Sequence, residues 1–338
     1  MLTRREELNG NDGEIPLGPC PADQFSGRYY ERSKLMQVIS AAKDRGQVFM
    51  VSGRRGSGKS SFLNWAENEI QLKANENGCP AIKSEFFETP GMIFTIYKRL
   101  LTELKAHEKF GWFKNLIDDS NVRKSIDVAL EVISGLSSLT GPYAPVLNTG
   151  TAAAKKLLPG EIVDHAQLLA SFLAIFRGLG CEMVKKNKSL TILLDDVQWS
   201  SGPDFQLMKD LMRNLPAGFA LIIAFRVESD SEKKYIDLQN EIYRYGYEEI
   251  KLGKMQKEEI KEFADQRYKI SIDDQVAEFL SNNVGDPLCL MGCFNLLKKT
   301  KRMPDLKSFQ QILPKALDSA RCIYTGLDAC WQNRINSL

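Results

Sequence analysis

Residues Gly53, Arg54, Arg55, Gly56, Ser57, Gly58, Lys59 and Ser60 place two glycines five positions apart, followed at once by a lysine and a hydroxyl. That spacing suits the binding of a chain of phosphates. Backbone amides converge on a phosphate only where the chain curls tightly. Glycine tolerates the positive φ or the close backbone approach this demands, which gives Gly53, Gly56 and Gly58 their purpose. Lys59 then reaches the β- and γ-oxygens and Ser60 offers its hydroxyl to Mg²⁺. The amino terminus of a following helix adds a favourable potential for an anion. Arg54, Arg55, Ser57 and Ser61 complete the residues expected to line the nucleotide. A chance glycine-rich turn would match the same letters, so the reading depends on what accompanies the loop.

Two acids accompany it. The apolar run Leu190 to Leu194 closes on Asp195 and Asp196. Adjacent carboxylates at a buried strand end are unfavourable without a cation nearby. Asp195 is therefore the expected ligand of Mg²⁺, and Asp196 the group that orients an attacking water; the alternative for Asp195 is a helix cap. Arg226 follows a second apolar run, Ala220 to Phe225, from where its guanidinium could touch a γ-phosphate; otherwise it is a surface arginine of an exit loop. Arg244 is a weaker candidate, either a finger acting on a neighbouring subunit or a solvated helix residue. Trp199 reads as a core or rim aromatic, with base stacking as the alternative. Lys298, Lys299, Lys301 and Arg302 close a helix, where positive charge suits the dipole; contact with DNA is the other reading.

The elements that position these residues can be traced in the hydrophobic pattern. Apolar positions from Glu31 to Arg45 fit one helix face, Gln47 to Ser52 reads as a buried strand, and Phe62 to Leu72 is helical. Ala81 to Phe87, Leu190 to Leu194 and Ala220 to Phe225 read as further strands. Helices are expected over 91–107, 121–133 and 162–186. Strands separated by helices indicate a mainly parallel sheet whose ligand crevice lies at the carboxyl ends of its strands. The fold class is accordingly α/β: a mainly parallel sheet flanked by helices, with helices alone at 256–267, 272–283 and 287–299. This gives an arm over 1–25, an α/β domain over 26–252 with an insertion at about 108–160, a helical lid over 253–303 and a helical extension over 304–338.

Composition sets the outer limits. The chain has 338 residues, 43% hydrophobic and 26% charged, with 13 Pro and 24 Gly, which excludes a disordered or collagenous protein. At about 150 residues per domain the length suggests roughly two compact units. Forty-five basic against 43 acidic residues give a net charge of +2, so binding to nucleic acid would need a local basic patch. Seven cysteines without close pairing, and an N-terminus lacking an apolar core, point to reducing cytosol. Cys289 and Cys293 lie one helical turn apart, but His107 and His165 are distant in sequence, and buried thiols are expected rather than a metal site. Residues 132–154 carry no charge, yet glycines, prolines and hydroxyls interrupt them, whereas a membrane span needs about 20 predominantly apolar residues. They read as a loop or hairpin in a chain without a membrane segment.

Taken together, these residues resemble P-loop ATPases of the AAA+ and STAND grouping, the signal-transduction ATPases and their origin-initiator-like relatives, over about residues 24 to 300. QFSGRYYERSKL resembles the family's leading motif, which lies against adenine; Gly27 and Arg28 match it, while Tyr29 replaces the usual Glu. LLDDVQWS resembles the Walker B segment and AFRVES the strand that senses the γ-phosphate. YEEIKLGKMQKEEIKEF resembles the join into the lid, and Gly285, Asp286 and Pro287 its turn toward the nucleotide. Leu288 stands where origin initiators carry an arginine, which favours the STAND side, and Asp196 is one methylene shorter than the usual Glu. The resemblance implies ATP and Mg²⁺ as cofactors, slow hydrolysis, and a molecular switch that assembles with itself or with a separate effector or sensor protein. A DNA-associated loader or transposition regulator is the alternative. A scaffold that holds nucleotide with little hydrolysis is a second.

Overall fold

A computed structural model describes residues 19–77, 81–85, 173, 176–181, 183–185, 187–200, 202–228 and 231–318. The expected helices at 91–107 and 121–133 and the uncharged stretch 132–154 lie outside the described residues. Two compact units form. One takes the described residues up to Glu31, the segment Gly53–Trp65 and those from Lys251 onward; the other takes Arg32–Ser52 and those within Ala66–Ile250.

The larger unit is built on a five-stranded, mainly parallel sheet. Its strands are β1 (Gln47–Gly53), β2 (Ala81–Glu85), β3 (Leu190–Asp195), β4 (Phe219–Arg226) and β5 (Glu248–Lys251), in the spatial order β2-β3-β4-β1-β5. β3 pairs in parallel with β2, Glu85 beside Asp195, and with β4, Leu194 beside Ile223. All six residues of β3 are buried, and so are all of β4 except Arg226. A parallel strand covered on both faces needs such an uninterrupted apolar run. Helix α1 (Tyr29–Ala41) precedes β1, while α2 (Lys59–Asn77), α3 (Gly202–Arg213) and α4 (Glu232–Arg244) follow β1, β3 and β4 in βα order, and residues within 173–185 are helical as well. Leu190, Ile192, Leu194, Leu221, Ile223 and Phe225 form the core with Phe176, Met208, Met212 and Leu238. Glu241, buried on α4, accepts from Arg213 Nε at 3.0 Å and also from Nη2. That paired contact holds its carboxyl below the usual range and ties α4 to α3.

The smaller unit has its own core, formed by α5 (Lys257–Phe263), a π-helical turn at Ala264–Tyr268, α6 (Asp274–Asn283), α7 (Pro287–Lys299) and a helix over 306–318. Each start is capped by its sequence. Gln256 and Glu259 form a capping box, Asp273 accepts from the Val276 amide at 2.8 Å, and Asp286 accepts from Leu288 at 3.2 Å ahead of Pro287. Tyr268 stacks on Phe294 at 5.0 Å, and Phe294 meets Phe309 edge-on at 5.3 Å. Cys293 is wholly buried in this core, which pushes its thiol up to about 12. No described helix is long and apolar enough to cross a membrane.

Helix boundaries shift by a few residues from the sequence reading, for identifiable reasons. α2 begins at Lys59 rather than Phe62, because its first turn, Lys-Ser-Ser, carries no apolar signal. The helix expected over 256–267 changes pitch after Phe263 into a π turn, which a periodicity of 3.6 cannot show.

Candidate nucleotide site

Where β1 ends, the chain enters the smaller unit as a curled loop that leads into α2. Gly56 and Gly58 take φ values of +81° and +94°, where a side chain would be strained. Gly53 is needed for a different reason: a Cβ there would come 2.6 Å from Ser57 Oγ and 3.0 Å from the Leu252 carbonyl. Lys59 is 7% exposed, and its ammonium donates to the carbonyls of Gly53 and Arg54, each at 2.9 Å. The loop thus wraps its own lysine. The Phe62 amide bonds back to Gly58 at 2.8 Å, so the first turn of α2 presents amides that make no bond within the helix. Arg54 is exposed, Arg55 and Ser60 are partly so, and the Ser61 hydroxyl accepts the Cys20 amide at 3.0 Å.

The same unit also holds the turn Gly285–Pro287 and the segment around Gly27 and Arg28. A Cβ on Gly58 would lie 3.7 Å from Pro287 Cγ, ordinary contact. Burial pushes the carboxyl of Asp286 upward, opposed by its bond from the Leu288 amide and by the positive charges of Lys59 and Arg28. Gly27 and Arg28 both have positive φ, +69° and +58°. The Gly27 amide donates to Glu262 at 3.2 Å, the Arg28 amide to Glu259, and the buried Arg28 guanidinium to the Gly253 carbonyl. A Cβ on Gly27 would meet Glu259 Cβ at 2.9 Å, which explains glycine at that position. Ahead of it, Phe25 stacks on Trp65 at 6.0 Å and meets Phe62 edge-on at 5.9 Å, fixing the chain against α2.

In the larger unit the acids stand at the exit of β3. Asp195 is 1% exposed, and its carboxylate accepts the amide of Asp196 at 2.9 Å. Asp196 has φ +54°, a left-handed conformation that a short carboxylate tolerates, and leads into a 3₁₀ turn at Val197–Trp199. Gln198 Nε2 donates to Asp196 Oδ1 at 2.8 Å, and Gln198 Oε1 accepts the Arg226 amide at 2.9 Å. The Arg226 side chain is 11% exposed, lies 4.8 Å over the ring of Trp199 and sits 3.3 Å from Glu228. Its side chain is thus largely buried rather than at the surface, and its cation covers one face of the Trp199 ring. Lys234, from the first turn of α4, donates to the carbonyls of Gln198 and Ser200 at 3.0 and 2.8 Å. Arg244 is exposed at the end of α4, 5.8 Å from the Tyr245 ring.

The sequence reading missed Gln198, Lys234, Glu259 and Glu262 as parts of these sites. Only Gln198 had a local signal, lying two residues from Asp196. The loop fits a polyphosphate: Ser57 Oγ is buried without a hydrogen-bond partner, packed so closely against Gly53 that no Cβ could stand there. Among the described residues no cluster of three His, Cys, Asp or Glu could hold a metal by side chains alone.

Solved structures resemble the chain at low identity. The ORC2 protein of Aeropyrum pernix, determined as ADPNP–ADP complexes, is 12% identical with a TM-score of 0.46, covering 92% of this chain and 70% of that one. A RuvB variant of Thermotoga maritima is 13% identical, TM-score 0.40, covering 88% and 72%. A STAND protein of Pyrococcus horikoshii with a tetratricopeptide repeat sensor is 12% identical, TM-score 0.41, covering 82% of this chain and 30% of that one. No curated protein sequence matches. Residues 24–223, from just ahead of Gly27 to the middle of β4 and so spanning the phosphate loop and both strand-end acids, match the AAA ATPase domain, and the chain belongs to that family.

Proposed function

We propose that this protein is an ATP-dependent molecular switch, a slow ATPase whose nucleotide state governs assembly with itself or with a partner protein. The phosphate loop carries the reading: positive-φ glycines at 56 and 58, an orphaned Ser57 hydroxyl, and Lys59 tethered to two carbonyls that phosphate oxygens would replace. Gly53 to Ser61 would hold the triphosphate. Gly27, Arg28 and Pro287 would line its base and sugar side. Ser60 and Asp195 would hold Mg²⁺, which when bound neutralises charge developing between the β- and γ-oxygens. Asp196 would orient the attacking water and Arg226 would read the γ-phosphate. Arg244, exposed at a helix end, would act on a neighbouring copy. Because Asp286 stands near Lys59 and Arg28, a nucleotide that engages those cations alters the charge balance at the lid's turn, and a ligand shifts a two-state equilibrium only through such differential contacts. The compartment proposed is the cytoplasm.

Mass measurement of the purified chain with Mg²⁺ and ADP, then with a non-hydrolysable ATP analogue, tests the switch. A larger assembly only with the analogue is expected; one mass under both conditions rejects it. The second reading, a DNA-associated AAA+ loader, is favoured by the exposed cluster Lys298, Lys299, Lys301 and Arg302. It requires ATP-dependent binding of duplex DNA that weakens steeply with salt. Measured phosphate release at saturating ATP separates both from a scaffold that holds nucleotide without turnover.

A further inference from the structure

The side-chain amide of Gln198 makes two hydrogen bonds, and its chemistry fixes their direction. The amide N–H of Arg226 can only donate, so the oxygen of the Gln198 side chain must face it at 2.9 Å. The NH₂ then faces Asp196 Oδ1, at 2.8 Å. No alternative orientation satisfies both partners. The clamp is 5% exposed and rigid at each end: Lys234 grips the Gln198 carbonyl, and Ser231 Oγ donates to the Arg226 carbonyl at 2.8 Å. Among the described residues nothing donates to the second carboxylate oxygen, Oδ2, and Asp196 as a residue is partly exposed.

We propose that Gln198 is a positioning residue for hydrolysis: its amide holds the Asp196 carboxylate in one rotamer, with Oδ1 occupied and Oδ2 aimed at the attacking water, and registers it against the end of β4. This rests on the reading of Asp196 as the water-orienting group. A carboxylate on a left-handed residue at a strand exit has rotamers of similar energy. An external donor selects one, and a displacement of about 1 Å in a catalytic group lowers rates by about a hundredfold. A neutral amide suits the task because it donates at every pH and cannot accept the proton in place of Asp196.

Gln198→Glu separates positioning from structure. The introduced carboxyl has the same size and still accepts the Arg226 amide, but once ionised it cannot donate to Asp196 and repels it. Steady-state phosphate release by the full chain, with Mg²⁺ and ATP over pH 5 to 9, is compared for wild type, Gln198→Glu, Gln198→Leu and Asp196→Asn, alongside thermal melting. For Gln198→Glu the expected result is kcat at least tenfold lower at pH 8 with KM within threefold. A descending alkaline limb absent from wild type should accompany it, because only the protonated carboxyl donates. Gln198→Leu should lose a comparable factor at every pH; if it fails to fold, Gln198→Glu decides. Wild-type kcat at pH 8 in Gln198→Glu, or a uniform loss of kcat and ATP affinity with an unchanged pH profile, overturns the proposal. An unaltered rate in Asp196→Asn, or no turnover by wild type, overturns instead the reading on which it rests.

Discussion

The phosphate loop and the strand-end turn both place charge where a buried strand stops, and they hold it in different ways. Lys59 is held from five and six residues back by carbonyls of its own loop, and glycine geometry does the rest. Asp196 is held by a chain of side chains: Gln198 spans 28 residues to the amide of Arg226, and Lys234 reaches back 36 and 34 residues to the carbonyls of Gln198 and Ser200. The first site is encoded almost entirely within its segment; the second exists only after β3, β4 and α4 have come together. Damage should follow that division, with loop substitutions impairing binding and turn substitutions impairing turnover.

The largest expected effect lies at the turn. Asp196→Asn keeps the left-handed backbone, which Asn also tolerates, but removes the charged water-orienting group. Phosphate release should fall about 10²- to 10³-fold while ATP stays bound. Equal loss of binding would erase the contrast between the two regions. Next comes the loop backbone. Gly58→Ala forces a side chain onto φ +94°, and Gly53→Ala drives a Cβ against Ser57 and the Leu252 carbonyl. Strain of about 1–2 kcal/mol at either position should weaken ATP roughly 5- to 30-fold by calorimetry, with little change in kcat. A kcat effect exceeding the affinity effect would mean that the loop also positions the reacting atoms.

The smallest effect concerns Asp286. Its carboxyl is pushed up in the folded protein by burial, so its contribution to stability is fully present below the unfolded value of 3.8 and is lost as pH rises through the folded value. Asp286→Asn keeps a good N-cap and removes the buried charge. The variant should melt slightly higher than wild type near neutral pH, with the gap closing as pH falls toward 3.8. A lower melting temperature at pH 7 would show that the attraction of Lys59 and Arg28 outweighs desolvation.

How much could be seen in the sequence follows the same division. β1, the loop and α2 could be read because strand, glycines and helix are consecutive, and the fully apolar runs of β3 and β4 identified buried parallel strands with their terminal charges. The partners of those charges could not. Glu262 stands 235 residues from Gly27, and Glu259 reads locally as a capping-box acid although it also takes the Arg28 amide. Lys234 looks like an exposed residue in the first turn of a helix, and only the fold shows that it pins a turn on β3. Arg226 stacks on Trp199, yet nothing in the spacing of 27 residues between them predicts that pair.

Calorimetric titration of ATP and Mg²⁺ into wild type and Lys59→Ala tests the central assignment most directly. Charge-assisted hydrogen bonds to phosphate are each about 1.5–3 kcal/mol, so the variant should bind at least about tenfold more weakly, with its melting temperature little changed in the absence of nucleotide. Unchanged affinity in a folded Lys59→Ala protein would contradict the account, because the loop between Gly53 and Ser60 would then not be where the triphosphate is held.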